Sequence, residues 1–447
     1  MFQKLFHLKE NGTDVKTEVI GGITTFMAMA YILAVNPSIL SQSGMDSQAV
    51  LIATALAAFV GTLCMAFMAN YPFALAPGLG LNAYFAYTVC GTMGYSWELA
   101  LLAVFAEGLV FLALSLTNVR EAIFNAIPMQ LKKGVSVGIG LFIAFLGLQN
   151  AHIVVNSDST LVTMVKFTKD FHTTGISALL ALIGLVIISV LYIKNVKGSI
   201  LLGILITWAL GILAQFTGLY AGDSVLPVWS DFNLGAISKT FGQCFSSAAF
   251  ANFRILDFIV IMFSFLFVDI FDTLGTMIAC ADKAKMLDKD GKLPRIRSAL
   301  LADSIATSCG AILGTSTTTT FVESSSSVSE GARTGLASVV TGLLFFLSIF
   351  LSPVFIAIPG FATAPALIFV GFLMITAVKD IHFDNAIEAI PAYLTLLTMP
   401  ILYSISDGIA VGFISYVVLH LLAGKAKEIK PLMYVLAVLF VLKYIFL

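Results

Sequence analysis

Long apolar runs, separated by short polar connections, follow one another along nearly the whole chain. A helix that crosses a bilayer needs about 20 predominantly apolar residues. The pattern therefore predicts an all-α integral membrane protein with about 14 transmembrane helices in 447 residues. The predicted spans are 20–40, 50–70, 73–89, 99–117, 134–148, 176–193, 198–216, 255–281, 298–313, 315–328, 335–352, 364–378, 391–405 and 408–422.

The third and tenth predicted spans interrupt the helical pattern. The third, PFALAPGLGLNAYFAYTV, contains Pro72 and Pro77, which obstruct helical hydrogen bonding. The tenth opens with GTSTTTT, whose β-branched residues favour extended backbone. We expect each broken span to be an extended stretch that leads into a half-helix, where free backbone N–H groups can bind an acceptor. The side chains just inside these half-helices are Asn82 and Glu323, which we expect to face each other.

Short motifs recur in the same order in the two halves of the chain. The pairs are GLVF at 108–111 and GLLF at 342–345, AIP with a later glycine at 126–140 and 357–371, and LY with a later glycine at 191–198 and 402–408. They predict two seven-helix repeats. Because seven is odd, the second copy enters the membrane inverted. Inverted repeats are typical of secondary transporters, whose sites lie where broken helices of the two copies meet.

Composition and charge place this arrangement in a membrane. The chain is 59% hydrophobic and 11% charged, whereas soluble domains carry roughly 25% charged residues, so a soluble protein is excluded. Basic residues accumulate on cytoplasmic loops, and with the N-terminus in the cytoplasm of a cell (plasma) membrane protein they fall on predicted inner loops. These residues include Arg120, Lys132, Lys133, Lys194, Lys197, Lys285, Lys289, Lys292, Arg295, Arg297, Lys425, Lys427 and Lys430. Lys166 and Lys169, on a predicted outer loop, are exceptions.

The predicted spans and the loop charges divide the chain into five segments. They are a cytoplasmic N-terminal segment at 1–19, the first repeat at 20–216, an extracytoplasmic connection at 217–254, the inverted second repeat at 255–423 and a C-terminal segment at 424–447. The N-terminus lacks the pattern of a cleavable signal peptide. The apolar stretch 433–446 either adds a span or lies along the membrane interface.

Several classes of chemistry find no support in the sequence. The five cysteines lie far apart without a C-x-x-C pair, so neither a zinc site nor a redox pair is expected. A membrane enzyme is disfavoured because no metal-ligand cluster or nucleophile–base set is apparent, and no cofactor is expected. A net charge of −1 gives no reason to expect a nucleic-acid partner.

Three carboxylates are the candidate functional residues. Asp269 and Asp272 lie inside FSFLFVDIFDTLGTMIAC, and Glu323 follows GTSTTTTFV. Ionisable groups at membrane depth are costly and typically mark substrate sites or proton relays. Asp269, Asp272 and Thr276 are spaced i, i+3 and i+7, which predicts one helix face. Because like charges repel and burial disfavours the charged form, one of these acids is expected to take up a proton during transport.

A structural interpretation competes with this one. Each acid, Asp269 above all, could merely hydrogen-bond the backbone of a broken helix. Glu107, in the middle of the fourth span, has no obvious polar cluster around it and reads as structural. Tyr31 and the Asn36-Pro37 pair read as packing residues and a helix break. The histidines avoid the predicted span centres, which argues against a histidine relay.

Five motifs together resemble one known family. GITTFMAMAYILAVNP, APGLGLNAYFAYTV, FVDIFDTLGT, STTTTFVESSSSVSEGARTGL and AIPAYLTLLTMPILYSISDGI are similar to the AzgA-like adenine/guanine/hypoxanthine permeases of the nucleobase:cation symporter-2 superfamily. The resemblance runs from about residue 21 to residue 412. It implies proton-coupled purine uptake by a 14-helix fold, often dimeric, in which core and gate domains move like an elevator.

The resemblance also implies a purine site. Its polar contacts would be Asn82, with the flexible Gly80 beside it, then Asp269 or Asp272, and Glu323. Alignment of D-T-L-G-T with the E-x-x-G pattern of the superfamily favours Asp272 as the direct ligand. The serines at 324–327 are more polar than the family pattern and change the expected cavity shape.

The chemistry of a purine fits these residues. A purine is flat and rimmed with N–H donors and acceptors, and carboxylates are strong acceptors. Phe85 and Phe321 are candidates to cover the ring faces. The alternative is an anion exchanger or channel with the same inverted architecture, since fold alone does not decide function. An anion carrier would usually place positive charge at the midplane, where this chain has carboxylates.

Overall fold

The structure is a computed structural model, and it describes residues 2–117, 127–168, 170–229, 232–251, 253–287 and 293–446. Of the positions singled out in the sequence, Arg120, Ala126, Lys169, Lys289 and Lys292 lie outside these ranges. The described chain is mostly helical. Ten of its helical segments are long and apolar enough to cross a membrane, so this is a multi-pass membrane protein.

The helices follow the apolar runs of the sequence. In the first half they are α1 (Phe2–Leu5), α2 (Val15–Met29), α3 (Ile32–Leu40), α4 (Ser47–Cys64), α5 (Leu79–Ala83), α6 (Trp97–Leu116), α7 (Met129–Asn150), α8 (Ile176–Ile193) and α9 (Ser199–Phe216). In the second half they are α10 (Ile255–Lys283), α11 (Ile296–Leu313), α12 (Ser325–Ser329), α13 (Gly335–Ser348), α14 (Ser352–Ile356), α15 (Gly360–Ile375), α16 (Ala386–Ile401), α17 (Ile405–Leu422) and α18 (Pro431–Phe446).

The described part of the chain also contains four short strands. They are β1 (Leu75–Pro77), β2 (Val154–Ser157), β3 (Leu161–Met164) and β4 (Thr318–Thr320). β2 and β3 form a hairpin in the connection between α7 and α8.

Side-chain caps fix where several helices begin. Asp14, Asp46, Ser96, Thr334 and Ser404 each precede a helix and accept a hydrogen bond from a backbone N–H of its first turn. Such caps satisfy donors that have no partner inside the helix. The polar residues between the apolar runs therefore define the helix starts as well as the loops.

The long helices pack into two groups. The first group contains α2, α3, α4, α6, α10, α11 and α13, and the second contains α7, α8, α9, α15, α16 and α17. Glycines allow close packing within the second group: a Cβ atom added at Gly371 of α15 would lie 2.4 Å from the carbonyl oxygen of Gly140 in α7. The apolar stretch at 433–446 belongs to α18, which packs against α17.

Inside the first group, two short strands meet. β1 pairs antiparallel with β4, with Leu75 opposite Thr320 and Pro77 opposite Thr318. Backbone hydrogen bonds extend the pairing: Gly78 N donates to Thr317 O at 3.0 Å, and Phe321 N donates to Ala74 O at 3.0 Å. β1 leads into α5 and a π-helical segment, Tyr84–Thr92, while β4 leads into a 3-10 turn, Val322–Ser324, and α12.

Candidate functional site

A cavity of about 930 Å³ lies between the two helix groups. Its wall on the first group combines polar side chains with the ends of the paired strands, and its wall on the second group combines apolar side chains with lysines. The first wall includes Tyr31, Gly78, Leu79, Gly80, Asp272, Thr276, Thr319, Thr320, Phe321 and Glu323. The second includes Val135, Ile139, Ile143, Val370 and Leu373.

Glu323 reaches the cavity from the 3-10 turn that follows β4. Its side chain is partly exposed, and its Oε1 accepts a hydrogen bond from the Tyr31 hydroxyl at 2.7 Å. Tyr31 is buried and lines the same cavity. Tyr31 packs in the core, as expected, but it is more than a packing residue, because its hydroxyl also binds a candidate site carboxylate.

Asp272 reaches the cavity from the middle of α10. Its Oδ2 lies 3.5 Å from the Thr319 hydroxyl, and Thr276, one turn later on α10, lines the same wall. Phe321, directly after β4, also lines the wall and is 7% exposed. Two carboxylates from distant parts of the chain, Asp272 and Glu323, thus open on one cavity that is otherwise largely apolar.

Asp269 does not line this cavity, contrary to the expectation that it shares the face of Asp272 and Thr276. Positions three residues apart on a helix differ by about 60° in direction, because each residue turns by roughly 100°. Asp269 is fully buried, and its Oδ1 lies 2.9 Å from the Thr273 hydroxyl. The same hydroxyl lies 3.1 Å from Asp303 Oδ2 on α11.

Glu107 belongs to this buried group, so the expectation that no polar cluster surrounds it is wrong. Its side chain is fully buried, and Oε2 accepts a hydrogen bond from the Thr317 hydroxyl at 3.2 Å. Asp269 and Asp303 interact electrostatically with it. We call Glu107, Asp269 and Asp303 the buried acid cluster.

Asn82 and Phe85 lie elsewhere than predicted. Neither is among the described residues that line the cavity. Asn82 is fully buried and accepts a hydrogen bond from the Ser316 hydroxyl, so in this conformation it ties α5 to the residues before β4 and does not face Glu323. Phe85 is fully buried against Phe265, with ring centroids 6.3 Å apart, and covers no cavity surface.

Gly80 lies at the contact between the two helix groups. It lines the cavity, and a Cβ atom added there would lie 2.8 Å from Cγ2 of Ile139 in α7. A larger residue at this position would therefore force Ile139 or α7 to shift.

The serines that depart from the family pattern have identifiable roles. Ser324 Oγ accepts from Ala74 N at 2.9 Å, and Ser327 Oγ donates to Pro72 O at 3.1 Å. Both satisfy the irregular backbone before β1. Ser325 and Ser326 line the cavity. Asn36 has a similar structural role, as its amide donates to the hydroxyls of Thr54 and Thr315.

Basic residues surround one end of the cavity. Lys132, Lys133 and Lys197 line it there. Lys197 forms an ion pair with Glu330, and Lys133 Nζ donates to Asp380 O at 2.6 Å. Lys197 lies between helices of the second group and Glu330 follows α12, so this ion pair joins the two walls of the opening.

Sequence reasoning missed Asp303, although the rule that identified Asp269 applies to it. Asp303 is an acid within an apolar helical segment, LADSIATSCG. The pairing of Tyr31 with Glu323 had no such signal, because the two residues are 292 positions apart. In the part of the chain that the structure describes, no group of three or more His, Cys, Asp or Glu side chains could hold a metal ion.

A helical membrane protein with a carboxylate-bearing cavity between two helix groups has the construction of a transport protein. The comparisons agree, since residues 16–426 match the Permease family (Xan_ur_permease). The chain belongs to this family and to its branch of adenine/guanine/hypoxanthine permeases, which confirms the resemblance of the motifs. It is therefore a permease and not an enzyme.

Three relatives match along nearly their full length. The chain is 49% identical over 445 residues to the putative permease MJ0326 of Methanocaldococcus jannaschii, covering 100% of this chain and 98% of that protein. It is 44% identical over 451 residues to the guanine/hypoxanthine permease PbuG of Bacillus subtilis, covering 99% of each. It is 40% identical over 457 residues to the adenine permease AdeP of Escherichia coli, covering 100% and 96%.

Solved structures share the fold at low sequence identity. The transmembrane domain of the cyanobacterial bicarbonate transporter BicA superposes with a TM-score of 0.65 at 16% identity, covering 89% of this chain and 96% of that domain. The structure of SLC26A9 superposes with a TM-score of 0.64 at 13% identity, covering 92% and 66%. At these identities the likeness concerns the fold alone.

Proposed function

We propose that this permease imports purine nucleobases, namely adenine, guanine or hypoxanthine, across the cell membrane. The observation that carries the proposal is that Asp272 and Glu323 open on the same cavity. A purine presents several N–H donors along its edge, and a carboxylate accepts such bonds strongly. The names of the relatives, guanine/hypoxanthine permease and adenine permease, support the same substrate class.

The cavity suggests how a purine would be held. Asp272 and Glu323 would accept its N–H groups, Tyr31 would keep Glu323 oriented, and Phe321 would cover one ring face. The apolar residues of α7 and α15 would cover the other side. The positions of Asn82 and Phe85 assign them to shaping the broken segments and the core.

We further infer fourteen spans in two inverted seven-helix repeats. Corresponding segments of the two halves meet in the structure, as they would at a two-fold axis in the membrane plane. β1 pairs antiparallel with β4, and the repeated glycines, Gly140 and Gly371, pack against each other. The two helix groups would then be the core and gate domains.

Transport would follow from sliding of the core, which carries the carboxylates, along the gate. The cavity lies between these two bodies, and Gly80 provides close contact across them. The basic opening formed by Lys132, Lys133 and Lys197 fits a cytoplasmic orientation, because basic residues accumulate on that side. This orientation also places the N-terminus in the cytoplasm. Buried carboxylates support proton symport as the driving reaction.

Anion transport is the competing function, because BicA, which shares the fold, is named as a bicarbonate transporter. Two carboxylates on the cavity wall would repel an anion at the position where it must bind. The same two groups would attract N–H donors. The carboxylates of this wall therefore favour the purine proposal, whereas the lysines line the opening of the cavity.

Uptake measurements separate the two functions. Cells that lack purine uptake of their own should accumulate labelled adenine, guanine or hypoxanthine when they express this chain, and unlabelled purines should compete. In parallel, vesicles with the purified protein should be tested for bicarbonate and chloride flux. Anion flux without purine uptake would overturn the proposal.

A further inference from the structure

The hydroxyls of β4 and the residue before it connect carboxylates on three helices. Thr317 Oγ1 lies 3.2 Å from Glu107 Oε2 on α6. Thr320 Oγ1 lies 3.4 Å from Asp303 Oδ1 on α11. Thr319 Oγ1 lies 3.5 Å from Asp272 Oδ2 on α10. One run of threonines therefore contacts both the acid that lines the cavity and two acids that do not line it.

The acids that do not line the cavity are removed from water. Glu107, Asp269 and Asp303 are each 0% exposed. The Glu107 carboxyl group has the Thr317 hydroxyl and the Asp269 carboxyl group as its hydrogen-bonding neighbours. An ionised carboxylate offers two acceptor oxygens and no donor, and burying it without compensation is costly. A protonated carboxyl group next to another carboxylate relieves both problems.

The groups that face Glu107 are acidic. They are Asp269 from α10 and Asp303 from α11, with the Thr317 hydroxyl between Glu107 and the strand. Three adjacent negative charges in an apolar interior repel one another strongly, so ionisation of all three together is disfavoured. Such groups titrate as one unit that shares its protons.

We propose that the buried acid cluster, Glu107, Asp269 and Asp303, binds the proton that is transported with the purine, and that it acts on the purine through Asp272. This inference rests on the proposed function. It places the proton site in the buried acid cluster and the purine site in the cavity. Glu107 and Asp303 would be positioning residues for binding, since neither needs to touch the purine.

Asp269 connects the buried acid cluster to Asp272. It precedes Asp272 by one helical turn on α10, and the two carboxylates interact electrostatically. A proton added to the cluster lowers the negative charge near Asp272, which then carries its own charge more easily and accepts a purine N–H more strongly. Linkage is reciprocal, so a bound purine also favours a protonated cluster. Proton and purine would thus load together, as symport requires.

The test uses the purified full chain in proteoliposomes with labelled hypoxanthine or adenine. Two activities are compared: accumulation driven by a pH gradient, and exchange of internal for external purine at equal pH. Glu107→Gln and Asp303→Asn should retain exchange within about threefold but lose accumulation by about tenfold or more, a typical coupling factor. Proton entry that accompanies purine uptake, followed with a pH-sensitive dye, should disappear in both variants.

Glu18→Gln provides the matched control. Glu18 is also 0% exposed, but its oxygens accept from the backbone N–H groups of Arg333 and Ala337 at 2.7 and 3.1 Å. Removing its charge should leave the ratio of accumulation to exchange unchanged. An equal loss of coupling in Glu18→Gln would show that any buried acid has this effect and would overturn the inference.

A binding measurement covers variants that lose both activities. Calorimetry in buffers of different ionisation enthalpy counts the protons taken up when purine binds. The unmodified protein should take up protons, and Glu107→Gln and Asp303→Asn should take up fewer at the same pH. Unchanged proton uptake in these variants, or accumulation with the normal proton-to-purine ratio, would overturn the inference. Absence of purine exchange by the unmodified protein would instead overturn the proposed function.

Discussion

Two segments meet at the centre of the first helix group, one around β1 and one around β4. Each is a short strand that leads into a short helix, but their side chains differ in chemistry. Around β1 the chain offers Leu75, Ala76, Pro77, Gly78 and Gly80, so it contributes shape and backbone groups. Around β4 it offers a run of threonine hydroxyls and then Glu323. Substitutions near β4 should therefore alter binding and coupling, whereas substitutions near β1 should alter the fit between the two helix groups.

The largest effect is expected for Glu323→Gln on the β4 side. The change keeps the shape of the side chain but removes a charged acceptor, and a hydrogen bond to a charged group contributes about 1.5–3 kcal/mol. Because charge and substrate orientation are both lost, purine uptake should fall by about 100-fold. Uptake is measured in cells with the amount of protein in the membrane checked by immunoblot.

Glu10→Gln is the matched control for that variant, since Glu10 lies on the exposed N-terminal segment. It should transport like the unmodified protein. If Glu323→Gln shows normal purine uptake and affinity, Glu323 is not part of the purine site. The effect on binding and coupling expected for substitutions near β4 would then be wrong.

The two aspartates of α10 give the next largest effect. Asp272→Asn should weaken purine binding by about one to two orders of magnitude, the loss of one charge-assisted hydrogen bond. Asp269→Asn should reduce transport more than it reduces equilibrium binding, because Asp269 lies in the buried acid cluster. Calorimetry on both purified variants is compared with uptake in vesicles. If Asp269→Asn loses binding and Asp272→Asn keeps it, the two roles must be exchanged.

On the β1 side, Gly80→Ala should slow transport, while the carboxylates of Asp272 and Glu323 should keep their positions. The added methyl group would lie 2.8 Å from Cγ2 of Ile139, and overpacking of this kind typically costs about 1–3 kcal/mol. The maximal uptake rate should fall by about tenfold, while purine affinity changes less.

A second substitution checks the cause of that effect. Ile139→Ala removes the atom that the new methyl group would meet. The double variant Gly80→Ala with Ile139→Ala should therefore recover much of the lost rate. A rate that stays low would mean that Gly80 is needed for its backbone flexibility and not for the close contact with α7.

The smallest effect is expected for the hydrogen bond between Asn82, which follows β1, and Ser316, which precedes β4. Asn82→Ala removes the acceptor of the Ser316 hydroxyl, and a typical neutral hydrogen bond contributes about 1 kcal/mol, or about fivefold in an equilibrium constant. Ser316→Ala should have a similar effect, and the double variant should lose little more, because both remove the same bond. Purine affinity and thermal unfolding are measured on all three. Fully additive losses would show that Asn82 acts independently of Ser316 and that their hydrogen bond is not the cause of the effect.

The sequence by itself determined the positions of the helices. The span predicted at 176–193 coincides with α8, and the span predicted at 255–281 lies within α10, which covers Ile255–Lys283. The prolines at 72 and 77 and the threonines at 317–320 indicated extended backbone where β1 and β4 lie. These features depend on local propensity and on the solvent that a segment prefers, so a single chain is sufficient to reveal them.

Only the tertiary structure decided which polar side chains meet. Asp269 and Asp272 look equivalent in the sequence, yet a rotation of α10 set by its neighbours turns one toward Asp303 and the other toward the cavity. The partnership of Tyr31 with Glu323 and the setting of Glu107 depend on helices that are distant along the chain. Side-chain direction follows from packing between helices, and that packing has no local signature in the sequence.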